Sequence, residues 1–440
     1  MKSLSAKILT IGLDGADPRL LAKWLGSLPN IKQLSDNGMS GKLASVIPPI
    51  SASAWTSFST GLNPGRTGVF DFVSRRAEDY RLNVVRSTDI ASKTIWEILS
   101  ERGFCCGVMN VPVAAWPPQS VKGFVVSGLP DPSVTTHPPT LSEKIKQLGW
   151  RPDPPMVGKS AEDIRRELLS TMRSRGEVAK HLLEEYHPDF FLLVLTETDR
   201  AQHFLLSRND EIVREVYAMA DEIIGELREA YEPTVTVVLS DHGFNAIQGT
   251  FFTNCWLLER EFLALKSPLS DPVSFEEAPI AWNRTRAFSY GDQGKIYVNL
   301  VGREPQGTVK ASDYSSVVSE LESELSGLTD NGRRLHVKTW RAKEIYRGPW
   351  LSCAPDLVFQ IERGEYGAKT SLGHRTVFQA PQIWSADHAI EGVYAIEGRG
   401  IPHAGLDASI LDLAPTILHE YGVELPDLDG RALKTCIGAT

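Results

Sequence analysis

The sequence predicts an α/β fold in which a mostly parallel central sheet is sandwiched by helices. Three apolar runs, at Lys7–Leu13, Asp189–Leu195 and Thr234–Leu239, are typical of strands that are buried on both faces. Long amphipathic helices precede the second and third runs, at Ala161–Tyr186 and Asp210–Tyr231. Strands that alternate with helices in this way form parallel sheets.

The other regular segments fit the same pattern. Shorter helices are predicted at Pro18–Leu28, Ile31–Asn37 and Thr94–Arg102, and further strands at Phe104–Asn110, Gly123–Gly128 and Gly392–Glu397. The chain closes with an amphipathic helix over Ala408–Tyr421, which Pro415 interrupts or restarts and Gly422 ends.

The middle of the chain is less regular. It contains predicted strands at Lys295–Leu300, Leu335–Lys338 and Asp356–Ile361 and a helix at Tyr314–Leu325. We interpret residues 245–378 as partly an insertion that forms a cap over the site, and residues 1–244 and 379–440 as the core.

Composition excludes several classes of function. The 440 residues are 42% hydrophobic and 23% charged, as expected of a soluble globular enzyme. A net charge of −9 without a Lys/Arg block argues against nucleic-acid binding, and the apolar run at the N-terminus is too short to span a membrane. We see no signal peptide, and the five cysteines (Cys105, Cys106, Cys255, Cys353 and Cys436) form no CxxC pair. A cytoplasmic location with reduced thiols is therefore expected.

The stretch Val46–Phe72 carries a candidate nucleophile. Two prolines, Pro48 and Pro49, lead into Ser51, which stands where a helix over Ala52–Thr60 would begin. Such a helix start suits an anion, and it also suits a hydroxyl that attacks one. Taken alone, this stretch favours the simpler interpretation of Ser51 as an N-cap.

Acidic residues and histidines follow the apolar strands. Asp14 follows the first strand, Asp199 and His203 the second, and Asp241 and His242 the third. Another histidine, His388, comes late in the chain. One such carboxylate is usually a turn or cap residue, but Asp and His together are typical zinc ligands, and the repetition favours two metal ions that clamp a phosphoryl group. The residues therefore predict metal-dependent phosphoryl hydrolysis.

These residues resemble the alkaline phosphatase superfamily, and within it the type I phosphodiesterase/nucleotide pyrophosphatase family. The similarity lies in ILTIGLDGAD, PPISASAWTSFSTGLNPGRTG, the DRAQH spacing at 199–203, SDHGF, ADHAIEGVYAIEGRGI and LDLAPTILHEYG, in the family's order. The resemblance implies an alkaline phosphatase-like fold and a hydrolase that cleaves phosphodiester or phosphoanhydride bonds through a phosphoserine intermediate.

The resemblance also implies ligands for two divalent ions, Zn²⁺ or alternatively Mn²⁺. Asp14, Asp241 and His242 would hold one ion, with the Ser51 Oγ as a further ligand and as the nucleophile. Asp199, His203 and His388 would hold the second ion. Three protein ligands and an open position are the arrangement of a catalytic zinc site.

Two departures leave the substrate class open. Phe72 stands where nucleotide pyrophosphatases carry an asparagine that binds a phosphate oxygen, and a phenyl ring cannot donate that hydrogen bond. Ala52 stands where alkaline phosphatases place an arginine. Candidate replacements are Arg75, Arg76, Arg200, His374 and Arg375, of which the pair His374–Arg375 is favoured because it stands in a loop.

Alternative functions remain within and outside the enzymes. A phosphomonoesterase or phosphonate hydrolase acting on a small metabolite is the second enzymatic interpretation, and a ligand-binding module on the same fold is the non-enzymatic one. Sulfatase activity is disfavoured because the sequence around Ser51 lacks the Cys/Ser-x-Pro-x-Arg motif. In every case the expected partner is a small phosphorylated or nucleotide-like molecule, and the oligomeric state is left open.

Overall fold

The computed structural model of the chain describes residues 6–76 and 78–433. Its centre is a ten-stranded sheet, here called the core sheet. In spatial order the strands of its main path are Ala404–Gly405, Met39–Ala44, Glu391–Gly398, Val235–Leu239, Ile8–Leu13, Phe190–Leu195, Cys106–Val111, Gly123–Ser127 and Thr136–His137, and Ala408–Ser409 also pairs with Met39–Ala44.

The core sheet is mostly parallel, as predicted. Ile8–Leu13 lies between Phe190–Leu195 and Val235–Leu239 and is parallel to both. Glu391–Gly398 runs antiparallel to its two neighbours, and Thr136–His137 forms an antiparallel edge.

Apolar side chains leave the core sheet on both faces. Phe191, Leu193 and Leu195 pack into one hydrophobic cluster, whereas Phe190, Leu192 and Val194 pack into another on the opposite face. Because both faces are buried, the strand needs a continuous apolar run rather than alternation. This confirms the prediction of a sheet sandwiched by helices.

Most of the longer helices occupy the positions expected from the sequence, although the closing helix begins only at Leu413. The helices Pro64–Thr67, Leu141–Gln147, Thr253–Glu259 and Ala342–Ile345 were not predicted. The helices longer than three residues are Pro18–Trp24, Pro29–Asn37, Ser51–Thr60, Pro64–Thr67, Ile95–Glu101, Leu141–Gln147, Ala161–Tyr186, Glu197–Leu205, Asp210–Tyr231, Thr253–Glu259, Tyr314–Ser326, Ala342–Ile345 and Leu413–Glu420. Short 3₁₀ turns lie at Leu25–Ser27, Ser87–Asp89, Trp282–Arg284, Glu362–Gly364 and Ile410–Asp412.

A second sheet of seven strands, here called the small sheet, is built from the middle of the chain. Its strands are Ala287–Phe288, Lys295–Val298, Leu357–Ile361, Tyr366–Lys369, Gly249–Phe252 and Phe378–Gln379 in order, with Val337–Arg341 paired to Leu357–Ile361. It has a hydrophobic cluster of its own, which includes Trp256, Phe288 and Leu321. The proposed division of the chain at residues 245 and 378 stays a prediction.

Three two-stranded ribbons, with strands of two to four residues, complete the described part of the chain. Gly243–Ala246 pairs with Ala386–Ala389, Val73–Arg75 with Leu82–Val84, and Thr329–Asp330 with Arg333–Arg334. Among the described residues, no helix combines the length and the apolar character that a membrane span requires. Cys105, Cys106, Cys255 and Cys353 are free thiols, as expected, and Cys436 lies outside the described residues.

Candidate active site

The register of three parallel strands brings the predicted ligands to one edge of the core sheet. Leu13 is aligned with Leu195, and Gly12 with Leu239, so the three strands end side by side. The carboxyl edge of an open α/β sheet is where ligands bind. Asp14, the helix Glu197–Leu205 and the pair Asp241–His242 all leave from this edge.

Ser51 is the first residue of the helix Ser51–Thr60 and not its cap. The cap position belongs to Ile50, whose side chain makes no capping hydrogen bond. The Ser51 side chain is buried and its Oγ lies 3.2 Å from His242 Nε2 and 3.5 Å from Asp14 Oδ1. The hydroxyl therefore faces the predicted ligands, as the nucleophile interpretation requires.

The first ligand set, defined as Ser51, Asp14, Asp241 and His242, has the spacing of a metal site. His242 Nε2 lies 3.3 Å from Asp241 Oδ2 and 3.8 Å from Asp14 Oδ1. Ligand atoms about 2.0–2.2 Å from a tetrahedral ion lie about 3.3–3.6 Å from one another. Asp241 Oδ2 is buried and has no hydrogen-bond donor, so it is available to a cation.

The second ligand set, defined as Asp199, His203 and His388, is equally compact. Asp199 Oδ1 lies 3.4 Å from His203 Nε2 and 3.3 Å from His388 Nε2, and the two Nε2 atoms are 3.0 Å apart. Asp199 Oδ1 is also buried without a hydrogen-bond donor. Asp199 and His203 share one helix face because they are four residues apart, as the sequence predicts.

The two sets lie side by side. The rings of His242 and His388 stack with their centroids 3.7 Å apart. Ligand atoms of Asp199, His242 and His388 lie within 4.8 Å of one another. Adjacent ions are the arrangement in which a phosphoryl group is clamped from two sides.

All three histidines are oriented by backbone carbonyl groups. The Nδ1 atoms of His203, His242 and His388 lie 3.0, 3.0 and 2.7 Å from the carbonyl oxygens of Ala386, Gly243 and Pro49 respectively. Because a carbonyl oxygen only accepts, each Nδ1 donates its hydrogen there, which leaves each Nε2 directed into the site. The Nε2 atoms of His203 and His388 are 3.0 Å apart and are therefore close enough to bind one cation together.

The electrostatics of the first set also favour a cation. Burial, together with the neighbouring Asp241 and Asp199, raises the pKa of Asp14 well above its ordinary value. Burial likewise raises the pKa of Asp241 to about 7. Burial lowers the pKa of His242 well below its ordinary value, which keeps this imidazole neutral. A site whose carboxylates are costly to ionise is stabilised by divalent ions, so the residues present fit the metals that the sequence predicts.

Asp199 behaves differently from the other two carboxylates. Burial raises its pKa, but interactions with the imidazoles of His203 and His388 outweigh burial and hold the pKa well below its ordinary value. The second set therefore combines one carboxylate with two imidazoles, whereas the first combines two carboxylates with one imidazole.

Several residues that orient the ligands were not predicted from the sequence. Trp55 Nε1 donates to Asp14 Oδ2 over 2.9 Å, and Trp55 stands four residues after Ser51, one helical turn away. That spacing is the signal that could have identified it. The ring fits under Gly12, where a Cβ would come within 2.3 Å of the indole.

Hydrogen bonds join the helix of the second set to the strand end of the first. The Thr198 hydroxyl donates to the Asp14 carbonyl over 2.6 Å, and the Gln202 amide to the Gly15 carbonyl over 2.8 Å. Gly15 has a φ of +67°, and its N–H donates to Asp241 Oδ1 over 3.0 Å. The two sets thus share one hydrogen-bonded frame, which sequence spacing alone does not reveal.

The predicted substrate contacts are less clearly placed. Phe72 packs with Ile50 and Ala52, the residues on either side of Ser51. His374 stacks on Phe252 with ring centroids 3.5 Å apart and contacts the Ser371 hydroxyl. Among the hydrogen bonds and ion pairs of the described residues, none joins His374 or the exposed Arg375 to either ligand set. Their role stays a prediction.

The other candidate cations differ in their surroundings. Arg75 is buried against Glu304, and Arg76 pairs with Asp79. Arg200 lies next to Asp199 in the chain and its positive charge lowers the pKa of Asp14, whose net shift is nevertheless upward because burial dominates. Arg75 is therefore already neutralised, whereas Arg200 acts on the site electrostatically.

Comparison with known proteins agrees with this geometry. The family model described as Type I phosphodiesterase / nucleotide pyrophosphatase matches residues 8–380. The chain belongs to this family. The family forms part of the alkaline phosphatase superfamily, and its members are hydrolases of phosphoric ester bonds, so this type I phosphodiesterase relative is an enzyme of that class. A comparison with curated proteins found no match.

Solved structures show the same fold at low identity. Phosphonoacetate hydrolase from Sinorhizobium meliloti 1021, in complex with phosphonoacetate, has a TM-score of 0.66 and 16% identity over 95% of both chains. The complex of the same enzyme with phosphonoformate has a TM-score of 0.65 and 15% identity over 95% of both chains. Murine ectonucleotide pyrophosphatase / phosphodiesterase 5, as an inactive variant with AMP, has a TM-score of 0.60 and 13% identity over 97% of both chains. These likenesses confirm the alkaline phosphatase-like fold.

Proposed function

We propose that this family member hydrolyses phosphodiester or phosphoanhydride bonds through a covalent phosphoserine at Ser51, with two divalent ions, most consistent with Zn²⁺ and alternatively Mn²⁺. The observation that carries the proposal is the position of the Ser51 Oγ within 3.2–3.5 Å of two donor atoms of the first ligand set. The second set lies directly beside it. A hydroxyl placed in this way is a nucleophile in need of activation rather than a capping group.

The chain's own residues define the steps. The Ser51 Oγ forms a bond to phosphorus while the bond from phosphorus to the leaving oxygen breaks, and the hydroxyl proton passes to solvent. Water then cleaves the phosphoserine and releases phosphate or a phosphate ester. Asp14 and His242 hold the hydroxyl in place, and the carbonyl-bound Nδ1 atoms keep the three imidazoles oriented. Bound divalent ions would lower the pKa of the hydroxyl and neutralise charge on the phosphoryl oxygens.

A second candidate function is hydrolysis of a phosphomonoester or a phosphonate of a small metabolite. It is favoured by Phe72, which offers no hydrogen-bond donor beside the nucleophile and packs in an apolar cluster with Ile50 and Ala52. Two of the similar structures were solved with phosphonoacetate or phosphonoformate, and one with AMP. Both kinds of ligand are small and phosphorus-containing.

A comparison of substrates separates the two candidates. We would measure turnover of p-nitrophenyl phosphate, bis-p-nitrophenyl phosphate, a dinucleotide and phosphonoacetate, each with Zn²⁺ and with Mn²⁺. Preference for the diester or the dinucleotide supports the first function, and preference for the monoester or phosphonoacetate supports the second. Activity on none of the four with either metal would contradict both.

Replacing Ser51 tests the nucleophile. Ser51→Ala should lower kcat by at least about a thousandfold, because no other hydroxyl can form the covalent intermediate, while folding and metal content stay nearly unchanged. Ser53→Ala is the matched control, since the buried Ser53 hydroxyl donates only to the Ile50 carbonyl in the same helix. Wild-type turnover in Ser51→Ala would sink the assignment.

The cellular location is proposed separately. We infer a cytoplasmic location, supported by the free state of the four described cysteines, which suits a reducing compartment. Fractionation of cells that produce the full chain would test this, and recovery outside the cytoplasm would contradict it.

A further inference from the structure

Asp387 is a buried carboxylate beside the second ligand set that no motif assigned. It is only 2% exposed and stands immediately before His388 in the strand Ala386–Ala389. Ligand atoms of His203, Asp387 and His388 lie within 4.8 Å of one another. Asp387 is therefore close enough to influence whatever the two imidazoles bind.

The two oxygens of Asp387 have different surroundings. Oδ1 accepts hydrogen bonds from the Gln293 amide and, over 2.9 Å, from the backbone N–H of His388. Oδ2 is buried and has no hydrogen-bond donor. Asp199 Oδ1 and Asp241 Oδ2, in the two ligand sets, are likewise buried without a donor, whereas Glu197 and Glu304, which also have such oxygens, form ion pairs with arginines. Asp387 shares this property with the predicted metal ligands.

No protein cation neutralises Asp387 directly. Within residues 6–76 and 78–433, Asp387 forms no ion pair, and the nearby Lys369 is bound to Asp292 over 2.9 Å. A cavity of about 20 Å³, lined in part by Asp387 and Gln293, has room for one water. Water can satisfy a hydrogen bond, but it cannot balance a charge. A buried carboxylate is normally paired or accompanies a metal ion.

The charges of the two ligand sets also indicate that Asp387 accompanies a metal ion. The first set has two carboxylates, Asp14 and Asp241, which match the charge of one divalent ion. The second set has a single carboxylate, Asp199, with two imidazoles. Asp387 supplies the missing negative charge within 4.8 Å of both imidazoles.

We propose that Asp387 is a positioning residue of the second ligand set, which balances the charge of the ion held by Asp199, His203 and His388 and fixes the backbone that carries His388. The inference rests on the two-ion centre of the proposed function. It adds a residue whose role is exerted through the histidines rather than by contact with substrate. The Gln293 amide, in the loop before the small-sheet strand Lys295–Val298, donates to Asp387, so this hydrogen bond links the small sheet to the second ligand set.

Titration with cobalt(II) tests the inference without an activity assay. Metal-free full-length protein is titrated with Co²⁺ in competition with a chelator and followed by the visible absorption of the bound ion. The wild type should bind two ions per chain. Asp387→Asn should still bind two, but the affinity of one should fall by about 10–100-fold, the usual effect of losing an outer carboxylate. The other should be unchanged.

One further variant separates the effect of the charge of Asp387 from the effect of its shape, and another serves as a control. Asp387→Glu keeps the charge but not the shape, whereas Asp387→Asn keeps the shape but not the charge, so the proposal expects the glutamate variant to bind the weaker ion more tightly than the asparagine variant. Glu391→Gln is the control, because it removes an exposed carboxylate that is paired with Lys42 and should leave both affinities unchanged.

The outcomes separate this inference from the proposed function. Two ions in the wild type with unchanged affinities in Asp387→Asn, or a greater loss in the glutamate variant, overturns the role of Asp387 and leaves the two-ion centre standing. Fewer than two ions in the wild type overturns both. Circular dichroism on each metal-free variant tests whether it is folded. If Asp387→Asn does not fold, Asp387→Glu decides the question. Near wild-type metal affinity in Asp387→Glu then supports the proposal, and a tenfold or greater loss of affinity contradicts it.

Discussion

At the scale of single residues, the position of a side chain in the site depends on partners that lie far away in the sequence. Asp14 is held by the Trp55 indole, and His203 and His388 by carbonyl groups of Ala386 and Pro49. Each of these hydrogen bonds removes one orientation that a ligand could otherwise adopt. A ligand set that is ordered in advance binds its ion with less loss of conformational entropy.

The Trp55 hydrogen bond gives a prediction at this scale. Trp55→Phe keeps an aromatic ring in the core but removes the donor to Asp14 Oδ2, so affinity for one of the two ions should fall by about tenfold or more. Cobalt(II) titration measures the effect. Trp96→Phe is the matched control, since Trp96 is also fully buried but donates to Gln119. Equal metal affinity in the two variants would contradict the role of Trp55.

At the scale of secondary-structure elements, a buried ion pair joins the loop after the helix Pro64–Thr67 to the small sheet. Lys295 is the first residue of the strand Lys295–Val298 and contacts the Asp71 carboxylate. Both side chains are almost completely buried. Burial raises the pKa of Asp71 although Lys295 opposes this. The cost of burying the pair is therefore large relative to the attraction between its members.

This balance predicts a non-additive pair of substitutions. Lys295→Met should destabilise the protein by about 3–5 kcal/mol, because it leaves a buried carboxylate without a partner, whereas Asp71→Leu combined with Lys295→Met should cost less than Lys295→Met alone. Urea unfolding measures both. Arg286→Met, which removes an exposed pair with Glu320, should change stability by less than about 1 kcal/mol. A double variant that is as unstable as Lys295→Met, or less stable, would refute the argument.

Some secondary-structure elements could be predicted from the sequence and others could not. The helices Ala161–Tyr186 and Asp210–Tyr231 have the predicted boundaries, because each is long and strongly amphipathic. The strand Met39–Ala44, which has a mixed burial pattern and lies near one edge of the core sheet, was not predicted. Its apolar residues follow neither a continuous run nor a helical spacing, so the local pattern carries little information.

The site could be predicted in part for the same physical reason. Asp14, Asp199, His203, Asp241 and His242 each follow an apolar strand, and parallel strands must end at one edge, so their meeting follows from the fold. His388 and Asp387 arrive on an antiparallel ribbon with Gly243–Ala246, a pairing between distant segments that local patterns do not show. The contact between His203 and His388 was predicted only through the family resemblance, and Asp387 was not predicted.

At the scale of the whole molecule, metal binding should contribute to global stability. The buried carboxylates Asp14, Asp199 and Asp241 repel one another, and a bound divalent ion removes this repulsion. An ion present at about a thousand times its dissociation constant stabilises the folded state by about 4 kcal/mol if it binds only that state.

Removal of metal therefore gives a prediction for the intact chain. Treatment with EDTA should lower the Tm in scanning calorimetry, and added Zn²⁺ or Mn²⁺ should restore it. Asp199→Asn, which removes a ligand of the second set only, should show a smaller shift than the wild type. An identical Tm with and without EDTA would show that no ion is held by the folded protein.

The antiparallel ribbon that brings His388 to the site has a consequence for synthesis. Asp14 is synthesised before His388, which lies in the ribbon strand Ala386–Ala389, and that strand is followed by the core-sheet strand Glu391–Gly398. A nascent chain that ends within the small sheet already contains Asp199 and His203 but still lacks His388. The second ligand set is therefore complete only after the small sheet has been synthesised, and until then Asp199 and His203 lack their third partner.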